Sequence, residues 1–123
     1  MDDDALEAIA ARLFDAFVAT DLDTVGEMMA PGAVLTQNGN PASWAEARPM
    51  IEGLRGILGD HHYTHVRRVT GDHAVVEEHR VISTTPDGRE IDLAACVVLR
   101  VDAQGLITSL DEYVDPTAIF AME

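Results

Sequence analysis

The sequence contains no lysine. All eight basic residues are arginines, set against 22 acidic ones, and the formal net charge is −14. The missing lysine excludes a Walker-type phosphate site and any Schiff-base chemistry. An acidic field of that size repels phosphate backbones and anionic bilayers, which argues against nucleic acid or a membrane surface as partner. Cys96 is the single cysteine, so no internal disulfide can form and a reducing compartment is expected. No apolar run approaches the roughly 18 residues of a spanning helix. The acidic start Met1-Asp2-Asp3-Asp4 lacks the basic flank of a secretory signal, so a cytoplasmic location is expected.

What the chain does have is patterning. Its 123 residues suffice for one domain with its own core, and no repeat or linker divides them, so a single domain over residues 1–123 is expected. Leu6, Ile9, Ala10, Leu13, Phe14, Phe17 and Val18 recur at steps of three and four, the stripe of an amphipathic helix. A second short helix is capped near Thr20 or Asp21, presents Leu22, Val25, Met28 and Met29, and stops at Pro31-Gly32. Ala33 to Asn38 reads as a strand closed by the Gly39-Asn40-Pro41 turn. Ser43 and Glu46 have capping-box spacing, but Pro49 fits poorly inside a helix begun at Trp44. The preferred reading is a turn over 42–47 and a helix from about Arg48 to Gly59.

From there the period changes to two. His62–Thr70, His73–Thr85, Arg89–Val101 and Leu106–Val114 read as strands joined by turns at Gly71-Asp72, Pro86-Asp87-Gly88 and Asp102 to Gly105. A last short helix is expected near Pro116. Helices packed on one face of a bent sheet are the economical way to bury these stripes. Ile91, Leu93, Ala95, Val97 and Leu99 share one face of their strand, while Ala94, Cys96 and Val98 share the other. Both faces are apolar, and no segment remains to cover the second, so a homodimer through the outer sheet face is expected. A half-exposed face of small residues is the alternative.

The order of elements, the Asp21-Leu22-Asp23 start of the second helix, the Ala30-Pro31-Gly32-Ala33-Val34 step, the Gly105-Leu106-Ile107-Thr108 lead-in and the closing Asp111-Glu112-Tyr113-Val114-Asp115-Pro116 together carry a resemblance. Over essentially the whole chain they resemble the nuclear transport factor 2-like superfamily, nearest its SnoaL-like polyketide cyclases and limonene-epoxide-hydrolase-like enzymes. The resemblance implies an α+β fold in which a cone-shaped, curved, mixed but largely antiparallel sheet wraps a pocket with three helices from the N-terminal half. The epoxide hydrolases' Arg-x-Asp pair and final aspartate fall on Glu78, Arg80 and Glu112, and their Tyr-x-Asn on Thr36 and Asn38. Here the charge order is reversed and the tyrosine is Thr36.

Two carboxylates flanking an arginine in an apolar cavity form a proton-transfer device, because burial raises one carboxyl pKa while the arginine holds the other ionised. Glu112 is then the base, Glu78 the acid, Arg80 the bridge and Asn38 the orienting group. Phe14, Phe17, Met28, Trp44, Val76, Thr36 and Leu110 are expected to line the pocket. Trp44 and the methionines can equally serve packing. A base like that of the steroid isomerases is absent, since Gln37 and Asn38 occupy its place. Of the histidines a dehydratase-like pair would need, His73 falls in a turn and His79 on the expected outer face. Alternation puts His61 and His65 together and His62 opposite. No metal site or cofactor is expected. The expected activity is acid–base catalysis on a hydrophobic small-molecule ligand; the alternative is a non-catalytic module binding a small molecule or protein in the same cone.

Overall fold

The computed structural model describes residues 1–115 and 117. The first helix, α1 (Asp3–Ala19), begins where Asp2 accepts from the Ala5 N–H at 2.8 Å, with Asp3 and Asp4 at the positive end of its dipole. It buries Leu6, Ala10, Leu13 and Phe14, and ends at Thr20 in the left-handed region. Helix α2 (Leu22–Glu27) is capped by Asp21, and strand β1 (Met29–Gln37) follows at once. A short strand β2 (Asn40–Ala42) folds back on β1 through an Asn38-Gly39 turn, earlier than expected: Asn40 and Pro41 are not in the turn but pair with Gln37 and Thr36, because Asn38 and Gly39 take the positive φ values that a tight hairpin needs.

Helix α3 (Trp44–Leu58) begins earlier than expected. Both halves of the Ser43–Glu46 capping box form, at 3.2 and 3.0 Å. Two satisfied N-terminal donors outweigh the one bond that Pro49 removes near the helix start. Strands β3 (His61–Gly71), β4 (Ala74–Thr84), β5 (Glu90–Val101) and β6 (Ile107–Val114) form the expected antiparallel meander. The sheet order is β2-β1-β6-β5-β4-β3, with β1 parallel to β6. Helix α1 packs over β3 and β4, and α3 over β1 and β2. The result is the expected α+β fold, with the helices closing the concave face of a curled sheet. The helix expected near Pro116 lies outside the described residues. Among the described residues no helix is long and apolar enough to cross a membrane.

Two departures from regularity place the site. Between Thr64 and Arg67, β3 gains a residue relative to β4, with His65 at φ 55°. Such a bulge reverses the facing of everything beyond it. Tyr63 and Arg68 therefore both point inward, which strict alternation forbids. At the end of α3, Gly59 has φ 76° and ψ −165°, a conformation open to glycine alone.

Candidate acid–base site in the cone

Between the concave sheet face and helices α1 and α3 lies a cavity of about 420 Å³. That is ample for a small organic molecule, since ligand sites run from about 300 to 1,000 Å³. Phe17, Leu35, Ile51, Leu54, Leu93 and Leu110 supply much of its wall. The polar groups are few and grouped.

On one side, the parallel pairing of β1 with β6 sets Gln37 beside Glu112. Gln37 Nε2 donates to Glu112 Oε1 at 2.7 Å. Oε2 accepts no hydrogen bond from the described residues, so one oxygen is held and the other is available. On β3, His61 Nε2 and the Tyr63 hydroxyl lie 3.0 Å apart. Burial, then the charges of Glu112 and Glu77, push the Tyr63 pKa far above that of a free phenol. Tyr63 therefore stays protonated and acts as a hydrogen-bond donor. Burial and the nearby Arg55 charge push His61 the other way, below the usual imidazole value, so it is neutral at pH 7. With the His61 proton on Nε2, the Tyr63 O–H is free to point into the cavity.

Beneath Tyr63 is a buried charge network. Its ring stacks on His79 with centroids 4.1 Å apart, and Phe14 meets both rings edge-on. His79 Nδ1 donates to Glu77 at 2.5 Å, and Glu77 also accepts from Arg68 Nε at 2.7 Å. Arg68 reaches on to Glu7 of α1 at 3.4 Å. Burial opposes the Arg68 charge, but Glu77 and Glu7 outweigh it and raise its pKa. Glu77 is only 1% exposed and His79 4%, so the network is a rigid floor that fixes the Tyr63 ring.

The expected triad does not converge. Glu78 and Arg80 project from the outer face of β4, where Glu78 pairs with Arg67 at 3.1 Å and Arg80 with Asp92 at 2.7 Å. Val76, on the same outer face, lies opposite Val98 and does not line the pocket. His79, expected outside, faces in. The β4–β5 register explains this: Glu77 pairs with Val97 and His79 with Ala95, so the apolar inner face of β5 carries them inward. Asn38 does not reach the cavity either. Its amide bridges the Val114 backbone in both directions, at 2.8 and 3.0 Å, and so closes β1 onto β6. Met28 is core, and the Trp44 indole lies over Gly26, where an added Cβ would come within 2.7 Å of Nε1. Glu112, Thr36, Leu110, Phe14 and Phe17 do line the cavity. His73 stands in its turn, and His65 is the bulge. Sequence reasoning missed Tyr63 and Gln37 as site residues.

The Tyr63 phenol has a measurable signature. Its folded pKa is raised above the unfolded value near 10, so the stability it contributes is full below about pH 10 and is lost as pH rises further. The absorbance difference between wild type and Tyr63→Phe at the phenolate band should stay near zero to about pH 11, then appear with unfolding. A full phenolate step centred near pH 10 would show that Tyr63 is not desolvated.

A family model for the SnoaL-like domain matches residues 10–110, and the chain belongs to that family. No curated protein matches it in sequence. Among solved structures it is similar to IdmH from Streptomyces antibioticus, a candidate polyketide cyclase, with TM-score 0.81, 21% identity, and coverage of 94% of this chain and 96% of that one. It is also similar to AclR from Streptomyces galilaeus, a candidate hydroxylase, with TM-score 0.83, 16% identity and coverage of 94% and 81%. A protein of ketosteroid isomerase-like fold from Catenulispora acidiphila, solved with trimethylamine, matches with TM-score 0.79, 14% identity and coverage of 93% and 90%. At such identities the likeness is one of fold, and chemistry must be argued from the residues.

Proposed function

We propose that the protein is a cofactor-independent acid–base enzyme of hydrolase, cyclase or isomerase type, acting on an apolar small molecule in the cone. The observation that carries this reading is the pairing of functions on one apolar cavity: a carboxylate with one free oxygen, Glu112, and a phenol held neutral, Tyr63. Glu112 takes a proton from a substrate carbon or a water. Tyr63 donates a hydrogen bond to the oxygen where charge develops, with His61 aligning it. Tyr63 and His61 thus take the place first expected for Glu78 and Arg80. The polyketide cyclase description of IdmH is in keeping with acid–base chemistry of this kind.

The test is a panel of polyketide-like ketones and epoxides, followed by mass spectrometry. Glu112→Gln keeps shape and hydrogen bonding but cannot accept the proton, so turnover should fall on the order of 10²-fold or more. Undiminished turnover by Glu112→Gln would refute the assignment. Tight binding of panel members without any turnover would favour the binding-module reading instead.

The proposal includes a dimer through the outer sheet face. There Val76 stands opposite Val98, and Tyr113, 56% exposed, stands opposite Cys96. Burial of such a patch against its own copy is the ordinary way to remove it from water. Sedimentation should give a dimer that Val98→Asp converts to monomer; a wild-type monomer at micromolar concentration would end this part of the proposal.

A further inference from the structure

Among the described residues, Glu112 is the one carboxylate that lines the cavity. Of the lining residues only Gln37, Asn40 and Met50 are exposed, so they mark the mouth. Glu112 pairs with Gln37 across the β1–β6 junction and is itself half-buried, which puts its carboxylate just inside that mouth. The Gln37 amide holds Oε1 at 2.7 Å, and Oε2 accepts no hydrogen bond from the described residues.

The basic groups of the same lining are committed elsewhere. Arg55 donates to Asp60 at 2.6 Å, and His61 is held below the usual imidazole pKa by burial and by Arg55. Seven of the eight arginines, Arg55 included, lie within 3.1 Å of a carboxylate, so the net charge of −14 stands as an unbalanced negative field. Such a field concentrates cations around the molecule. A wholly apolar occupant would take water from Oε2 and return no donor, leaving a charged oxygen unpaired at a cost.

We propose that the chamber takes hydrophobic amines in their protonated form, with the ammonium on Glu112 Oε2 at the mouth and the carbon frame among Phe17, Leu54 and Leu93. The inference goes beyond the acid–base reading and shares with it only that the cavity is a ligand site. An ionised carboxylate accepts, so its partner must donate, and a positive donor makes the stronger bond. A charged head costs little to seat at a mouth, where it keeps part of its water, while the apolar body gains by burial. An alcohol supplies a donor without the charge, and a carboxylate ligand meets repulsion. The amine takes the oxygen that the proposed base uses, so it occupies the chamber in place of a substrate.

The test measures the affinities of naphthalen-2-ylmethanamine, naphthalen-2-ylmethanol and 2-ethylnaphthalene, near-isosteric probes that end in an ammonium, a hydroxyl and a methyl group. Wild type at pH 7 and low salt should bind the amine about tenfold more tightly than the alcohol, and the hydrocarbon more weakly than either. Glu112→Gln should remove the preference for the amine. Asp111→Asn takes the same unit of charge from a carboxylate paired with Arg100, and there the preference should be kept, because the contact and not the overall field sets it. An amine bound no better than the alcohol, a ratio unchanged in Glu112→Gln, or one lost equally in Asp111→Asn overturns the inference while leaving the cavity as a ligand site. Failure of all three probes to bind wild type overturns both. If Glu112→Gln does not fold, Glu112→Ser serves, since it too removes the charge: the same loss is expected, and a retained ratio refutes the site.

Discussion

Arg68→Met should lower the free energy of unfolding by about 3–5 kcal/mol, the range for breaking a buried ion pair on one side. The reason is Glu77. At 1% exposed it accepts from Arg68 at 2.7 Å and from His79 at 2.5 Å, and no water-facing route remains for its charge. Without the guanidinium, the carboxylate keeps only its bond from His79, and its uncompensated charge disturbs the stack under Tyr63. The converse is also expected. Removing both charges in Arg68→Met/Glu77→Met should recover most of the loss, because two apolar side chains need no partners. Urea titrations of the three variants read this directly. A single-variant loss below about 1 kcal/mol would mean that solvent already serves Glu77.

Gly59→Ala should cost upward of about 3 kcal/mol, combining left-handed strain with a hard contact. A Cβ at Gly59 would sit 2.5 Å from the Thr84 carbonyl oxygen, and backbone oxygens cannot swing aside. The chain would have to lift the end of α3 from β4, breaking the Ser83–Leu58 bond and shifting Arg55 and His61, the residues on either side of that turn. The variant should therefore lose ligand affinity as well as melting temperature. Unchanged melting would show that the α3–β3 junction is free to relax.

Much of this fold was legible because its signals are local. The cap at Asp21, the hairpin turns around Gly71-Asp72 and Pro86-Asp87-Gly88, and the period-two runs between them act over a few residues. The start of α3 was misjudged by weighing Pro49 above a capping box that in fact forms. The site was less legible. Both faces of β4 carry a carboxylate and a basic ring or guanidinium, Glu77 with His79 and Glu78 with Arg80, so alternation alone could not choose between them. One signal could have decided. A hairpin centred on Asp87 pairs odd residues of β4 with odd residues of β5, and β5 keeps Glu90, Asp92 and Arg100 on its even face. The odd face is therefore the core, which carries Glu77 and His79 inward. The bulge at His65 left no such trace. It is a backbone event, and without it Tyr63 and Arg68 fall on opposite faces. The resemblance singled out Glu112 at the end of β6, where it lines the cavity, and Gln37 was missed because its bond to Glu112 exists only across the parallel junction of two distant strands.

That junction bears on how the molecule comes into being. The meander from β3 to β6 is assembled from neighbouring hairpins, contacts that close quickly. The bond from Gln37 to Glu112 spans 75 residues, and the parallel partner that β1 needs is the last strand of the sheet. During synthesis, β1 must wait with its ladder edge unmatched until β6 has left the ribosome, an interval in which such an edge invites wrong partners. Pro31 near its start and the short β2 hairpin at its end limit how much of that edge is open to recruitment. The Glu112 carboxylate and the Gln37 amide that holds it thus meet only when the sheet closes, so this side of the chamber takes shape in the last pairing of the sheet.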